Sequence, residues 1–243
     1  MRTVALVLLI AVGTGWAADS LPPGASPILD PAKEGQEMAA RLRSSGPEEG
    51  SEFSGVLEIT AKDGRQRFTP MVSKITVTTS NWQVVYQSLP TNGVPAETLT
   101  ILHSPGQSNR YTFAINGATN RAVPLTQAFA GSDFWLMDLG LEFLYWPQQR
   151  ALRAEMMRSR PCRVLESVTP QPSPGSYARV LSWIDNESGG VLQAEAYDRQ
   201  GKLLKKFSLG RIREVRGQWR LQEMRIRNAQ TRQQTELKFD LKE

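Results

Sequence analysis

GSDFWLMDLGLEFLYW, residues 131–146, is an apolar segment that stands between two long stretches of strand-like sequence. Asp133 is a residue type that caps helix N-termini, and Pro147 cannot continue a helix. At helical spacing Asp138 and Glu142 fall on one narrow polar stripe, while nearly every other side is apolar. The segment is therefore predicted to form one helix of three to four turns that is buried nearly all round or lies over an apolar space.

The sequence on both sides of this segment alternates with a period of two. Before it, Trp82, Val84 and Tyr86 share one side of a strand, and after it Leu237 and Phe239 alternate with charged residues. Turn-forming pairs such as Asp-Gly and Asn-Gly separate many of the runs. This pattern indicates about ten antiparallel strands in a single sheet.

Breaks in the alternation predict where this sheet bends. The apolar phase slips near Gly210 and again between Leu221 and Met224, as it does at β-bulges. A long sheet that bends in this way curls toward a barrel, and a barrel that is not fully closed needs other elements to cover its open side. The apolar segment and an amphipathic helix predicted over Pro31 to Arg43, capped by Asp30, are available for this. The predicted class is α+β, with a curled antiparallel sheet forming an incomplete, half-open β-barrel under helices.

The N-terminus predicts export. Arg2 precedes an apolar run over residues 4–12 that is too short to span a bilayer, and Gly15 and Ala17 suit a signal-peptidase site with a cut after Ala17. No later segment is apolar and long enough for a transmembrane helix. The predicted organisation is a signal peptide (1–17), an exposed leader (18–27) and a single domain (28–243).

Charge and motifs argue against several functions. The formal net charge of +5 is scattered along the chain, which does not fit nucleic-acid binding. His103 and Cys162 are the sole histidine and cysteine, and no nucleophile elbow, phosphate loop or zinc motif occurs. We expect His103 to be exposed at a strand end and Cys162 to be buried in a strand. The predicted protein is not an enzyme and has no catalytic residue, metal or cofactor.

Two interpretations of the apolar segment remain open at this point. Either it plugs the core of the curled sheet, with its two acids at the rim, or it is a lid over a hydrophobic cavity that accepts lipid chains. Physical reasoning alone favours the plug, because apolar helices are more often core than gate.

Several short motifs follow one another along the C-terminal half of the chain, and together they indicate a family. They are GSDF (131–134), YARV (177–180) leading into WID (183–185), AYDRQGKLLK (196–205), MRIRN (224–228) and TEL (235–237). The chain resembles, in these motifs, the LolA-like outer-membrane lipoprotein-sorting proteins. The most specific of them is the Tyr-Asp-x-x-Gly-Lys turn that enters a long strand.

The resemblance implies a fold, a location and a function. It implies a LolA/LolB-like incomplete barrel around a hydrophobic cavity with helices as a lid, in the periplasm, and it favours the lid over the plug. A monomeric carrier of this kind shields the acyl chains of lipoproteins or other lipids between an inner-membrane exporter and an outer-membrane acceptor. An envelope sensor or scaffold module on the same fold, binding a protein partner, is the alternative.

Candidate site residues follow from this resemblance. In the family an arginine from an early strand holds the lid closed, and Arg65 and Arg67 are the candidates for this latch. The predicted cavity lining comes from the lid and from two strands: Phe134, Trp135, Met137, Leu141, Phe143 and Leu144, with Trp82, Val84, Tyr86, Tyr111 and Phe113.

Overall fold

The computed structural model describes residues 28–47, 49–91, 93–120, 123–215 and 218–240. The predicted signal peptide (1–17) and leader (18–27) lie outside the described residues. Within those ranges, none of the helices combines the length and the hydropathy that a membrane crossing requires.

The first element is the amphipathic helix α1 (Pro31–Ser44), as predicted. The Asp30 carboxylate accepts the backbone N–H of Lys33 at 3.0 Å, which satisfies one of the free donors of the first turn. Met38 and Leu42 lie on the buried face of the helix.

Fifteen strands follow in the described part of the chain, and thirteen of them form one antiparallel sheet. Across this sheet the order is β6-β5-β4-β3-β2-β1-β15-β14-β11-β10-β9-β8-β7, while β12 and β13 form a separate hairpin. The strands are β1 (Ser51–Thr60), β2 (Gln66–Val77), β3 (Trp82–Ser88), β4 (Glu97–His103), β5 (Arg110–Ile115), β6 (Ala118–Asn120), β7 (Gln148–Met157), β8 (Arg160–Val168), β9 (Arg179–Asp185), β10 (Val191–Tyr197), β11 (Leu203–Leu209), β12 (Ile212–Val215), β13 (Gln218–Leu221), β14 (Glu223–Asn228) and β15 (Gln234–Phe239).

Both predicted phase slips coincide with interruptions of the sheet, but the expected bulges within long strands are wrong. The chain leaves β11 at Leu209 and re-enters the large sheet at Glu223, so both phase slips mark strand ends. These two breaks separate β12 and β13 from the strands beside them, and they are one reason why the strand count exceeds the predicted ten.

The first and last strands meet in the middle of the large sheet. β1 pairs with β15, with Leu57 opposite Leu237, and β6 and β7 are the two edges. A twisted sheet of this many strands curls. The curled, unclosed antiparallel sheet is therefore as predicted.

Helix α1 covers the β7 edge. Gly35 lies so close to this strand that a Cβ at position 35 would stand 2.5 Å from the Cα of Arg150. The Gln36 side-chain amide also donates to the carbonyl of Pro147 at 3.0 Å. The helix thus shields an edge that could otherwise pair with another chain.

The predicted single helix over residues 131–146 is wrong. We call residues 129–146 the inserted segment, since it stands between β6 and β7. It contains a 3₁₀ turn (Phe129–Gly131), the four-residue helix α2 (Leu136–Leu139) and a second 3₁₀ turn (Glu142–Tyr145).

Local contacts explain why the helix is broken. The Asp138 carboxylate accepts the backbone N–H of Trp135 at 2.8 Å, so α2 begins after Trp135 and not at the predicted cap, Asp133. Leu141 has a left-handed backbone with φ 49°. The preceding Gly140 packs so closely that a Cβ there would lie 2.1 Å from the Tyr111 hydroxyl oxygen. Glycine near a helix end was the available sequence signal.

Candidate functional site

The inserted segment packs on the face of the sheet that carries the buried side chains, which we call the inner face, and a small apolar cavity remains between them. The free volume is about 30 Å³, room for only a few water molecules. Ligand pockets typically enclose about 300–1,000 Å³. The segment provides Phe134, Asp138, Leu139, Leu141 and Phe143 to the lining, and Tyr177 with strands β9, β10, β11 and β14 provides the rest: Val180, Val191, Ala194, Ala196, Lys205, Phe207 and Ile226.

Lys205 of β11 is the one cation among the described residues that line this cavity, and its side chain is only 3% exposed. Its Nζ donates to the carbonyl oxygen of Asp133 at 2.6 Å and lies 3.3 Å from Asp138 Oδ2. It also lies 3.5 Å from the ring centroid of Trp135, a cation–π contact. Burial lowers the pKa of Lys205, and the two aspartates offset part of this shift. All three of these partners belong to the inserted segment.

Tyr177, which precedes β9, binds the same carboxylate. Its hydroxyl donates to Asp138, with the two carboxylate oxygens at 2.9 and 3.2 Å, and its ring stacks on Trp135 at a centroid distance of 4.7 Å. Burial, with a further effect of the Asp138 charge, raises the pKa of Tyr177 well above its usual value. The hydroxyl therefore keeps its proton, and an ammonium and a hydroxyl both donate to the Asp138 carboxylate.

Asp133 ties the inserted segment to β15. Its backbone N–H donates to Thr235 Oγ1 at 2.9 Å, and the Thr235 hydroxyl donates to Asp133 Oδ2 at 2.9 Å. Burial raises the pKa of Asp133. This reciprocal pair fixes the backbone just before the cavity.

Strands β2 and β4 hold the start of the segment. Arg67 Nη2 donates to the carbonyl oxygens of Ala130 and Gly131 at 3.2 and 2.9 Å. The Glu97 carboxylate accepts the Ala130 N–H at 2.6 Å. Ala130 and Gly131 both have positive φ, 51° and 64°, which is unfavourable for the alanine.

Residues of β5 and the turn before it hold the end of the segment. The Tyr111 hydroxyl donates to Glu142 Oε2 at 2.9 Å, and the Asn109 amide donates to the Gly140 carbonyl at 2.7 Å. Burial raises the pKa of Glu142. The expected placement of both acids at an outer rim is wrong: because the helix is broken, Asp138 and Glu142 face opposite walls of the interior.

The predicted lid residues are divided between the cavity and its surroundings. Phe134, Leu141 and Phe143 line the cavity. The other three pack into or against the surrounding core: Trp135, Met137 and Leu144.

The predicted strand residues lie on the other half of the sheet. Val84, Tyr86 and Phe113 are buried in the core, but they do not line the cavity. Tyr111 contacts the segment through Glu142, as described above. Trp82 borders a separate groove of about 490 Å³ at the C-terminal end of α1.

Trp82 also explains the position of His103. The two rings stack with centroids 3.7 Å apart, and His103 is 7% exposed. The expectation of an exposed histidine at the end of β4 was therefore wrong. Burial lowers the pKa of His103 to about 4. Cys162 is buried in β8, as expected.

The two latch candidates differ in their contacts. Arg67 reaches the inserted segment, whereas Arg65 pairs with Asp63 at 2.7 Å in an exposed turn. Among the described residues, no group of three or more His, Cys, Asp or Glu is placed to hold a metal ion.

The sequence analysis missed Lys205, Tyr177 and Thr235. A signal for Lys205 was present, since it stands between Leu203 and Phe207 in the alternation of β11, where an apolar residue would be expected. Tyr177 and Thr235 stand in the motifs YARV and TEL, but these motifs gave neither residue a role, because their roles depend on contacts with a distant segment.

The curled, unclosed antiparallel sheet is consistent with a LolA-like fold. Three solved structures share it. A DUF1329 family protein from Desulfovibrio piger is 17% identical, with 87% of this chain and 92% of that chain covered and a TM-score of 0.73. A domain from Vibrio parahaemolyticus named for outer-membrane lipoprotein sorting is 20% identical, with 86% and 91% covered and a TM-score of 0.71. A LolA superfamily protein from Nitrosomonas europaea is 18% identical, with 87% and 92% covered and a TM-score of 0.60.

The resemblance inferred from the motifs is thus confirmed at the level of the fold. A family model described as "Uncharacterized protein" matches residues 80–241, more than half of the chain, and the protein belongs to that family. A search of curated proteins found no match.

The contact between Glu97 and Ala130 leads to a prediction of how the stability of the protein depends on pH. Burial raises the pKa of Glu97, so its ionised form is disfavoured in the folded state at neutral pH. Glu97→Gln retains an oxygen acceptor for the Ala130 N–H and cannot ionise. The variant is expected to have a higher free energy of unfolding than the wild type at neutral pH. This advantage should fade as the pH falls through the pKa of folded Glu97, because the wild-type carboxyl then gains its proton.

Urea denaturation of both proteins at a series of pH values measures this difference. Glu52→Gln, at an exposed position of β1, is the matched control and should show no such trend. A Glu97→Gln difference that is constant with pH would contradict the prediction.

Proposed function

We propose that the protein is a periplasmic carrier that shields acyl chains between the inserted segment and the wall formed by β9, β10, β11 and β14. In this proposal residues 1–17 are a cleaved signal peptide, 18–27 a leader and 28–243 one lipid-binding domain, which acts as a monomer and not as an enzyme. The LolA-like fold supports the proposal, as does the name of the Vibrio relative, which refers to outer-membrane lipoprotein sorting.

The observation that carries the proposal is the apolar wall behind the inserted segment. Most of the residues that line the cavity are hydrophobic. Burial of an acyl chain against such a wall contributes about 0.8 kcal/mol per CH₂. Because the cavity has a free volume of only about 30 Å³, a chain must displace aromatic and aliphatic side chains of the segment, which would compete with it and keep binding reversible.

The inserted segment is suited to displacement. Its α2 helix has only four residues, so few backbone hydrogen bonds hold it internally. Ala130 and Leu141 have left-handed backbones, with φ 51° and 49°, at an expected cost of about 1–2 kcal/mol each. Strain of this kind is released when the segment leaves the wall, which lowers the cost of displacing it.

Arg67 is proposed as the latch of the closed state. Its guanidinium donates to two carbonyls at the start of the segment, and these bonds would break when the segment leaves the wall. Acyl chains of lipoproteins or other lipids are the proposed cargo, received from an inner-membrane exporter and passed to an outer-membrane acceptor.

A fluorescent fatty acid tests acyl binding. The double variant Val180→Thr, Val191→Thr replaces one methyl group with a hydroxyl at two positions of the wall, so we expect affinity to fall by about tenfold or more. Fluorescence titration of the mature protein measures this.

The matched control is Val72→Thr, Val85→Thr, at partly exposed positions of β2 and β3, which should bind as the wild type does. Absence of acyl binding by the wild type would overturn the proposal. If natively purified protein yielded a stable protein partner and no extractable lipid, the sensor or scaffold function would be favoured.

A further inference from the structure

The contacts of Asp138 are those of a carboxylate-binding site. The Lys205 ammonium lies 3.3 Å from Oδ2, and the Tyr177 hydroxyl lies 2.9 Å from Oδ1. Both donors line the apolar cavity, and both come from outside the inserted segment. In the closed state the occupant of this site is a side chain of the segment itself.

Departure of the segment would leave Lys205 in an unfavourable state. The three nearest groups to its Nζ, namely the Asp133 carbonyl, the Asp138 carboxylate and the Trp135 ring, all belong to the segment, while the Tyr177 ring, 5.6 Å away, does not. A buried ammonium without acceptors is strongly disfavoured. When an apolar chain and not water takes the place of the segment, Lys205 therefore requires a new acceptor, and a ligand without a polar head group cannot supply one.

We propose that Lys205 and the Tyr177 hydroxyl bind the anionic head group of an acyl ligand, a carboxylate or a phosphate monoester, at the place that Asp138 occupies in the closed state. This inference rests on the proposed function and adds the chemical class of the ligand. Head group and Asp138 then exclude each other, so the segment's own carboxylate is an internal competitor. Burial lowers the pKa of Lys205. An incoming anion opposes this shift, because a negative charge beside the lysine favours its charged ammonium form.

The position of the site also orients the ligand. Lys205 stands two residues before Phe207 on β11, and Ala194 and Ala196 lie on the adjacent strand β10. An acyl chain attached to a head group at Lys205 can extend over these small wall residues into the space that Phe134 and Phe143 fill in the closed state. The head group is thus placed at the polar end of an apolar path.

A pair of probes that differ only in charge tests the inference. At pH 8, cis-parinaric acid is ionised and its methyl ester is neutral. The wild type is expected to bind the acid about tenfold more tightly than the ester, since a charge-assisted hydrogen bond is gained. Lys205→Met keeps a chain of similar length without the ammonium, and it should lose most of the preference for the acid, since only the Tyr177 hydroxyl remains to bind the carboxylate.

Lys206→Met is the matched control, because Lys206 is the next residue of β11 and pairs with Glu195 at 2.9 Å on an exposed surface. It should keep the wild-type preference for the acid. Tyr177→Phe removes only the hydroxyl and should reduce the preference in part, which provides a second reading if Lys205→Met folds poorly.

Displacement by natural head groups separates the two sources of the anion. Palmitate and lysophosphatidic acid are each compared with monoacylglycerol of equal chain length, and the stronger competitor identifies a carboxylate or a phosphate. Equal displacement by all three would overturn the inference.

Equal affinity of the wild type for parinaric acid and its ester would also overturn the inference and leave the carrier function standing. A preference for the acid that is as strong in Lys205→Met as in the wild type would do the same. Failure to bind either probe would overturn the proposed function and this inference together.

Discussion

Asp138→Asn is expected to lower the free energy of unfolding of the empty protein by about 3 kcal/mol. The substitution removes the charge that faces Lys205 in a site where that lysine is only 3% exposed. Asparagine can still accept one hydrogen bond, but it does not compensate a buried ammonium. The carboxylate that caps α2 at Trp135 is lost in the same step.

A double-mutant cycle in urea denaturation separates these contributions. Asp138→Asn combined with Lys205→Met should recover most of the lost stability, because the buried charge is then absent. Asp63→Asn, in the exposed pair with Arg65, is the control and should change stability far less, because solvent screens an exposed pair. If Asp138→Asn costs no more than Asp63→Asn, the buried pair does not hold the inserted segment.

Gly35→Val is expected to lower the free energy of unfolding by about 3 kcal/mol and to displace α1. A Cβ at this position would lie 2.5 Å from both Cα and N of Arg150, and these are backbone atoms of a strand that is paired with β8. The strand cannot yield without breaking that pairing. The helix must therefore move away from β7.

Ala40→Val, at an exposed position of the same helix, measures the helix propensity of valine alone and should cost about 0.5 kcal/mol. Displacement of α1 also uncovers the β7 edge, so we expect Gly35→Val, and not Ala40→Val, to self-associate in size-exclusion chromatography. Equal stabilities of the two variants would show that the close approach of α1 to β7 is unimportant.

Local sequence rules were sufficient to predict α1 and the alternating pattern of the strands. Asp30, Pro31 and the spacing of Met38 and Leu42 define a helix without reference to the rest of the chain. Alternation likewise shows which side chains of a strand share a face. It does not show which strands face the inserted segment, and so the predicted wall of β3 and β5 differs from the observed wall of β9 to β11 and β14.

Long-range contacts determine the secondary structure of the inserted segment. Asp133 is the predicted cap, but its carboxylate accepts from Thr235, and α2 begins later, where Asp138 within its first turn accepts the Trp135 N–H. Gly140 ends the helix where Tyr111 approaches it. These partners lie far away in sequence, so helical periodicity alone predicted a longer helix than the fold allows.

The attachments of the inserted segment give it a mechanical role in the empty protein. It is bonded to β2, β4 and β5 on one half of the sheet and to β11 on the other, with Thr235 of β15 between them. It is therefore a brace across the curl of the sheet as well as a filling for the interior. When the segment is released, we expect the curvature of the sheet to relax. The distance between the β6 and β7 edges would then differ between the empty and the occupied protein, and this difference would be visible at the surface.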